Sequence, residues 1–269
     1  MTMARFPLMS ELDHTCAMTF VEVGDIRIHY ERRGRGAPCV LLHGGFASHR
    51  SWDLVSERLR PELDVIAIDS RGQGRSFDGR GPITYGRMAE DVVRVMDALD
   101  VERFHVVGHS DGGCTALHLL VDYPDRISSA TLLGTPRRLS DYRAGTHALL
   151  VGVLDAMALT TEDLGLGFAD HYRLLSPHPD RWKLLVQKLG ATWRTQPVFS
   201  DEMLSLVDVP VLVIGVGHDE FLERDVFAQT ARVFPRGEIS WIEEATHAVP
   251  ISHPERVAEA VAEFVGKLS

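Results

Sequence analysis

The run Val106-Val107-Gly108-His109-Ser110-Asp111-Gly112-Gly113 decides the fold. Apolar residues lead into Gly108, and a helix-compatible stretch from Asp111 to Tyr123 follows, stopped by Pro124. The pattern is G-x-S-x-G. A strand that turns sharply into a helix lifts the serine Oγ above the end of the sheet in a strained backbone conformation. Flanking residues without a Cβ let strand and helix come that close. A glycine-rich phosphate loop is the other use of such a turn, but this spacing matches neither the dinucleotide nor the P-loop pattern.

Reading outward, His105-Val-Val107 is one of several short apolar runs. Cys39-Val-Leu-Leu42, Val65-Ile-Ala-Ile68, Ala130-Thr-Leu-Leu133 and Val209-Pro-Val-Leu-Val-Ile214 are others, and Glu238 to Ile242 adds a strand late in the chain. Such runs read as strands covered on both faces. Between them, Met88, Val92, Val95, Met96 and Leu99 recur at helical spacing behind Thr84, a candidate N-cap. A helix near Arg224 to Phe234 follows the fifth run. The last helix has Pro254 at its first position and Val257, Val261, Phe264, Val265 and Leu268 on one face. Alternating strands and helices imply parallel βαβ units. At the start, Thr19–Val23 and Ile26–Tyr30 alternate apolar and polar residues around Gly24-Asp25, the signature of a hairpin.

The alternation stops between residues 136 and 207. There Leu164, Phe168, Tyr172 and Leu175 fall at helical spacing, as do Trp182, Leu185, Leu189 and Trp193 after the break at Ser176-Pro-His-Pro179. The expected organisation is an extension over 1–17, a core over 18–135, a helical cap over 136–207 and the rest of the core over 208–269. The fold class is α/β, a mostly parallel eight-stranded sheet flanked by helices.

Composition narrows the function. The chain has 269 residues, 45% of them hydrophobic and 25% charged, and a net charge of −10. That is enough apolar material for a full core. An acidic chain lacks the basic footprint that nucleic acid requires. No apolar run reaches the roughly 20 residues of a membrane helix. Met1 to Met18 carries Glu11, Asp13 and His14 and lacks the apolar core of a signal peptide. Cys16, Cys39 and Cys114 form no CxxC, and the last two sit in apolar segments, so buried free thiols and a reducing cytoplasm are expected. His218-Asp219 lacks the partner ligands of a metal site. No metal, cofactor or nucleic-acid partner is expected, only a small-molecule substrate.

The chain resembles the α/β-hydrolase family from about residue 18 to 267. The resemblance rests on Leu41-Leu-His-Gly-Gly45, Asp69-Ser-Arg-Gly-Gln-Gly-Arg-Ser76, Gly108-His-Ser-Asp-Gly-Gly113 and a late Asp and His, in that order. It implies a serine hydrolase whose residues follow the order Ser, acid, His. Ser110 is then the nucleophile. The base is His247, in the loop Glu244-Ala-Thr-His-Ala-Val249, or less suitably His253, which abuts Pro254. The family's acid loop reads G-D-x-D, which places the acid at Asp219 and puts Gly217 where the first Asp belongs. Glu220 and Glu223 are the alternatives. The oxyanion hole falls to the N–H of Asp111 and to that of Gly45, with Phe46 as second choice. His43 is expected to brace that loop, and Arg71 and Arg75 to serve the structure of their turn.

Asp111 is either a carboxylate at a helix N-terminus or a contact for a cationic substrate, since some relatives with Ser-Asp-Gly-Gly cleave amino-acid esters. Phe46, Phe168, Tyr172, Trp182 and Trp193 either line an apolar pocket or pack the cap. The resemblance implies cleavage of a small carboxylic ester, thioester or lactone. Other activities on the same residues are C–C bond hydrolysis, cofactor-free haloperoxidase chemistry and slow-turnover ligand binding. Serine at the elbow excludes the family's epoxide hydrolases and dehalogenases, which need Asp there.

Overall fold

The computed structural model describes residues 19–160 and 165–268. The expected extension, with Cys16, and the position of Leu164 lie outside the described residues. The chain runs β1 (Thr19–Val23), β2 (Ile26–Gly34), β3 (Ala37–Leu42), α1 (Asp53–Leu59), β4 (Leu63–Ile68), α2 (Tyr85–Ala98), β5 (Phe104–His109), α3 (Asp111–Asp122) and β6 (Ile127–Leu133). Four helices follow: α4 (Thr146–Thr160), α5 (Phe168–Leu175), α6 (Trp182–Trp193) and α7 (Asp201–Ser205). Then come β7 (Val211–His218), α8 (Arg224–Val233), β8 (Gly237–Thr246), α9 (Val249–Ser252) and α10 (Pro254–Gly266).

The eight strands form one sheet in the order β1-β2-β4-β3-β5-β6-β7-β8. The β1–β2 and β2–β4 pairs are antiparallel, and the other five are parallel. Strand β4 is buried along its whole length, as a sheet covered on both faces requires. The hairpin turns at Gly24 with φ +60°. Thr84 caps α2, its side chain accepting from the Arg87 N–H. Pro254 opens α10, where a missing N–H leaves no bond unmade. Cys39 and Cys114 are buried free thiols. Among the described residues no helix is long and apolar enough to cross a membrane.

Two apolar clusters result. The larger one is built from the strands and the helices on both faces of the sheet. The smaller one joins Phe46, Ile83, Tyr85, Met88 and Cys114 of the core to Leu154, Met157, Tyr172, Trp182, Leu185 and Leu189 of the inserted helices. Ion pairs clasp the rim of that seam, where Asp78 meets Arg181 and Lys188.

A buried charge cluster fixes the turn after β4. The Asp69 carboxylate accepts from the backbone N–H groups of His49 and Arg75 at 2.7 and 2.9 Å and from His49 Nδ1 at 2.9 Å. His49 Nε2 reaches Glu31 at 3.1 Å. Burial disfavours charge on His49, but Asp69 and Glu31 outweigh it and raise the ring to about 9. The hydrogen bond from His49, chiefly, pulls Glu31 down to about 2. A buried imidazolium thus lies between two carboxylates.

Removing one member leaves an uncompensated buried charge. Asp69→Asn should destabilise the fold by about 3 kcal/mol in urea unfolding at neutral pH. Because the folded His49 is raised, its contribution is full below pH 6.5 and lost as pH rises through about 9. Wild type should lose stability across that window and Asp69→Asn should lose less. Parallel pH curves for the two proteins would contradict the cluster's charge state.

Candidate active site

Ser110 stands between β5 and α3 with φ +53° and ψ −115°, a region that a non-glycine residue enters only under constraint. Its own N–H donates to the Leu133 carbonyl at 2.9 Å. The next residue, Gly134, has φ +53°, and a Cβ there would lie 2.8 Å from the His247 ring. The imidazole therefore packs on the end of β6, beside the elbow. Its Nδ1–H donates to Asp219 Oδ2 at 2.8 Å. Asp219 Oδ1 accepts the N–H groups of Phe221 and Leu222 at 2.8 and 3.0 Å. No hydrogen bond joins Ser110 to His247 among the described residues; free enzymes often hold this contact loosely.

The electrostatics are those of an acid–base pair. Burial opposes ionisation of Asp219, but the His247 charge and hydrogen bond and the two backbone donors outweigh it and hold the carboxyl below its usual value. Burial also opposes charge on His247. Asp219, then Glu220 and Asp111, prevail and raise the ring. The other acid candidates are placed elsewhere. Glu220 Oε2 accepts the His247 backbone N–H at 2.8 Å. Glu223 pairs with Arg143 and precedes α8. The His253 ring hydrogen-bonds to the Ser252 hydroxyl, and the residue precedes α10.

Gly217 now has a physical reason. The β7–β8 register shifts between Val216 and His218, and a Cβ at 217 would run into the Glu243 carbonyl. The aspartate of the family pattern has no room there.

The loop after β3 is tied to the turn after β4 at two points. His43 Nε2 accepts the Ser70 N–H at 3.0 Å, so the proton sits on Nδ1, which donates to the Gly44 carbonyl at 2.7 Å. Gln73 Oε1 accepts the Phe46 N–H at 2.6 Å. That bond corrects the reading of Phe46 as an alternative oxyanion donor, because its N–H is already committed. No protein acceptor among the described residues takes the N–H of Gly45 or of Asp111.

Asp111 is buried, and both of its oxygens are taken. Oδ1 accepts from Tyr85 Oη at 2.8 Å and Oδ2 from Trp193 Nε1 at 3.0 Å. The Trp193 ring and the Asp111 carboxylate close over Gly45, where a Cβ would lie 2.6 and 2.7 Å from them. Phe46, 4% exposed, meets Phe168, Trp182 and Trp193 at ring-centroid distances of 5.7, 5.2 and 5.6 Å. Tyr172 packs on Trp182, and its hydroxyl donates to the His178 carbonyl. The expected pocket aromatics are thus one contiguous cluster spanning core and insertion.

One contact is new relative to the sequence reading. His109 Nε2–H donates to the His247 carbonyl at 2.7 Å. The only signal for it was a polar ring directly before the serine. As for metals, the one grouping of possible ligands among the described residues is His29, His49 and Asp69. Its Nδ1 atoms lie 3.0 and 2.9 Å from the Asp69 oxygens. His49, which despite its burial Asp69 and Glu31 raise to about 9, carries a proton on the nitrogen that a metal would need.

Burial pushes the Asp111 carboxyl up to about 6, above its ordinary 3.8, despite its two donors. A carboxyl raised on folding contributes stability fully below 3.8, and that contribution is lost as pH rises through about 6. Asp111→Asn has no proton to lose. Relative to wild type it should gain up to about 3 kcal/mol between about pH 4 and 7.5 in urea unfolding. A difference that stays constant with pH would rule out the raised carboxyl.

The chain is similar to several known proteins. The chain is 27% identical to a putative carbamate hydrolase RutD of Caulobacter sp. (strain K31), over 83% of this chain and 94% of that protein. It is 35% identical to a 2-hydroxy-6-oxo-6-phenylhexa-2,4-dienoate hydrolase of Comamonas testosteroni, over 42% of this chain and 41% of that one. Several other relatives are likewise matched over less than half of their own length. Among solved structures, a thermophilic esterase from Thermogutta terrifontis superimposes with a TM-score of 0.75 at 24% identity, covering 93% of this chain and 97% of that one. A family model described as alpha/beta hydrolase fold matches residues 38–254. The chain belongs to the alpha/beta hydrolase fold family.

Proposed function

We propose that the chain is a serine hydrolase that cleaves a small carboxylic ester, thioester or lactone with an apolar part. The observation that carries this reading is Ser110 held at φ +53° beside a His247–Asp219 pair. Ser110 Oγ attacks the carbonyl carbon while His247 Nε2 takes its proton. Asp219 fixes the ring and stabilises the imidazolium. The N–H groups of Asp111 and Gly45 receive the oxyanion. His247 then returns the proton to the leaving group, and a water, activated by the same ring, hydrolyses the acyl-enzyme.

The inserted helices act as the cap. Phe46, Phe168, Trp182 and Trp193 supply the apolar surface for the acyl part. Asp111 is committed to Tyr85 and Trp193, which supports a structural role over recognition of a cation. The C–C hydrolase of Comamonas testosteroni, similar over part of the chain, keeps bond cleavage next to a ketone as the second reading. Analysis of products separates the two.

The test is hydrolysis of p-nitrophenyl esters from acetate to dodecanoate. Ser110→Ala and His247→Ala should each lower kcat by about 10⁴- to 10⁶-fold while remaining folded. A Ser110→Ala protein with near-native turnover would refute the assignment. The base must be neutral to act, and His247 is raised above 6.5. The acid limb of kcat/KM should therefore have its midpoint above pH 6.5, with activity falling below it. A midpoint under 6.5 would contradict the pairing with Asp219.

A further inference from the structure

The β7–β8 ladder ends at the His218–Thr246 pair. His247 lies one residue beyond it and before α9, so the sheet does not hold its backbone. Two side chains do. Glu220 Oε2 accepts its N–H at 2.8 Å, and His109 Nε2–H donates to its carbonyl at 2.7 Å. Glu220 follows the proposed acid, and His109 precedes the proposed nucleophile.

We propose that His109 and Glu220 are positioning residues for the His247 base, each fixing one of its backbone polar atoms. The proposal rests on the hydrolase reading above. Asp219 fixes rotation of the ring; His109 and Glu220 fix the backbone from which the ring hangs. The strand that ends in Ser110 and the loop that carries Asp219 thereby set the direction of Nε2 together.

The surroundings support a stable clamp. Burial, then the neighbouring His247 charge, lowers His109 to about 3. The ring is neutral at working pH, and its Nε2–H remains a donor throughout. The His109 and His247 rings lie 5.0 Å apart, and Phe221 stands edge-on to His247 at 4.5 Å. The charged or titratable groups facing His247 are Asp219 and Glu220 from the loop after β7, Asp111 from α3 and His109 from β5. Glu220 has two separable effects: its oxygen holds the N–H, and its charge favours the protonated imidazole.

The experiment compares His109→Ala, His109→Gln, Glu220→Ala and Glu220→Gln in the full chain, with Ser110→Ala as control. Readouts are p-nitrophenyl acetate turnover across pH and the rate of p-nitrophenol release when diethyl p-nitrophenyl phosphate esterifies Ser110. His109→Ala and Glu220→Ala should lower kcat and the labelling rate about 10- to 100-fold with KM within about threefold, since small misplacements of a base cost about that much. His109→Gln, whose amide N–H replaces the donor, should recover most of the loss. Glu220→Gln keeps an acceptor but not the charge. It should keep the plateau kcat and move the acid-limb midpoint to lower pH.

Native kcat and an unmoved midpoint in both alanine variants, with Ser110→Ala inactive, overturn this proposal and leave the hydrolase reading standing. Native turnover in Ser110→Ala overturns both. Should His109→Ala not fold, the Glu220 pair decides alone, because Glu220 is exposed.

Discussion

The approach of α3 to the strand ends is the constraint on which the site depends. A Cβ at Gly112 would strike the Leu42 carbonyl, one at Gly108 the Gly112 carbonyl, and one at Gly113 the Thr135 side chain. Glycine at these three places lets the helix start directly over β3, β5 and β6. Ser110 takes up the turn with a left-handed backbone. The strain is held by packing on every side rather than by local preference. Through this one contact the serine, the loop after β3 and the end of β6 come together at the C-terminal edge of the sheet, where open α/β sheets bind ligands.

Around that contact the loops hold one another. Asp69 orders the turn that presents Gln73 and the Ser70 N–H, and these in turn fix Phe46 and His43. Gly45 is left facing the elbow under Asp111 and Trp193. On the other side, two hydrogen bonds join His247 in the loop after β8 to Asp219 and Glu220 in the loop after β7, and a third joins it to His109 at the end of β5. No member of the site is positioned by its own segment alone. The inserted segment participates through Trp193 of α6, which reaches the residue after the serine, and through Arg143, ahead of α4, which donates to the Asp219 and Leu222 carbonyls.

Much of this is legible in the sequence because backbone geometry dictates residue type. Glycines mark the elbow, continuous apolar runs mark buried strands, and Thr84 and Pro254 mark helix starts. Strand β7 begins at Val211 rather than Val209 because the bonding to β6 starts at the Pro210 carbonyl. Helix α4 escaped the periodicity reading because Thr146-His-Ala-Leu-Leu-Val-Gly-Val-Leu-Asp-Ala-Met-Ala-Leu-Thr160 is apolar on all sides and has no stripe. The partners of Asp111 also escaped. Tyr85 and Trp193 are 26 and 82 residues away in sequence, and no local spacing links them. The same holds for His109 and His247.

The His109–His247 bond spans 138 residues, and that separation has a temporal side. A chain emerging from the ribosome presents its serine elbow long before β7 and β8 exist. In the sheet order β5-β6-β7-β8, two further strands lie between the one that ends in the elbow and the one that leads into the histidine. On the proposed reading, the serine has no base until that ring is present and stays an ordinary alcohol. In the proposed reaction, reactivity is thus a property of the finished chain, and one cut short before residue 247 would carry the elbow without its base.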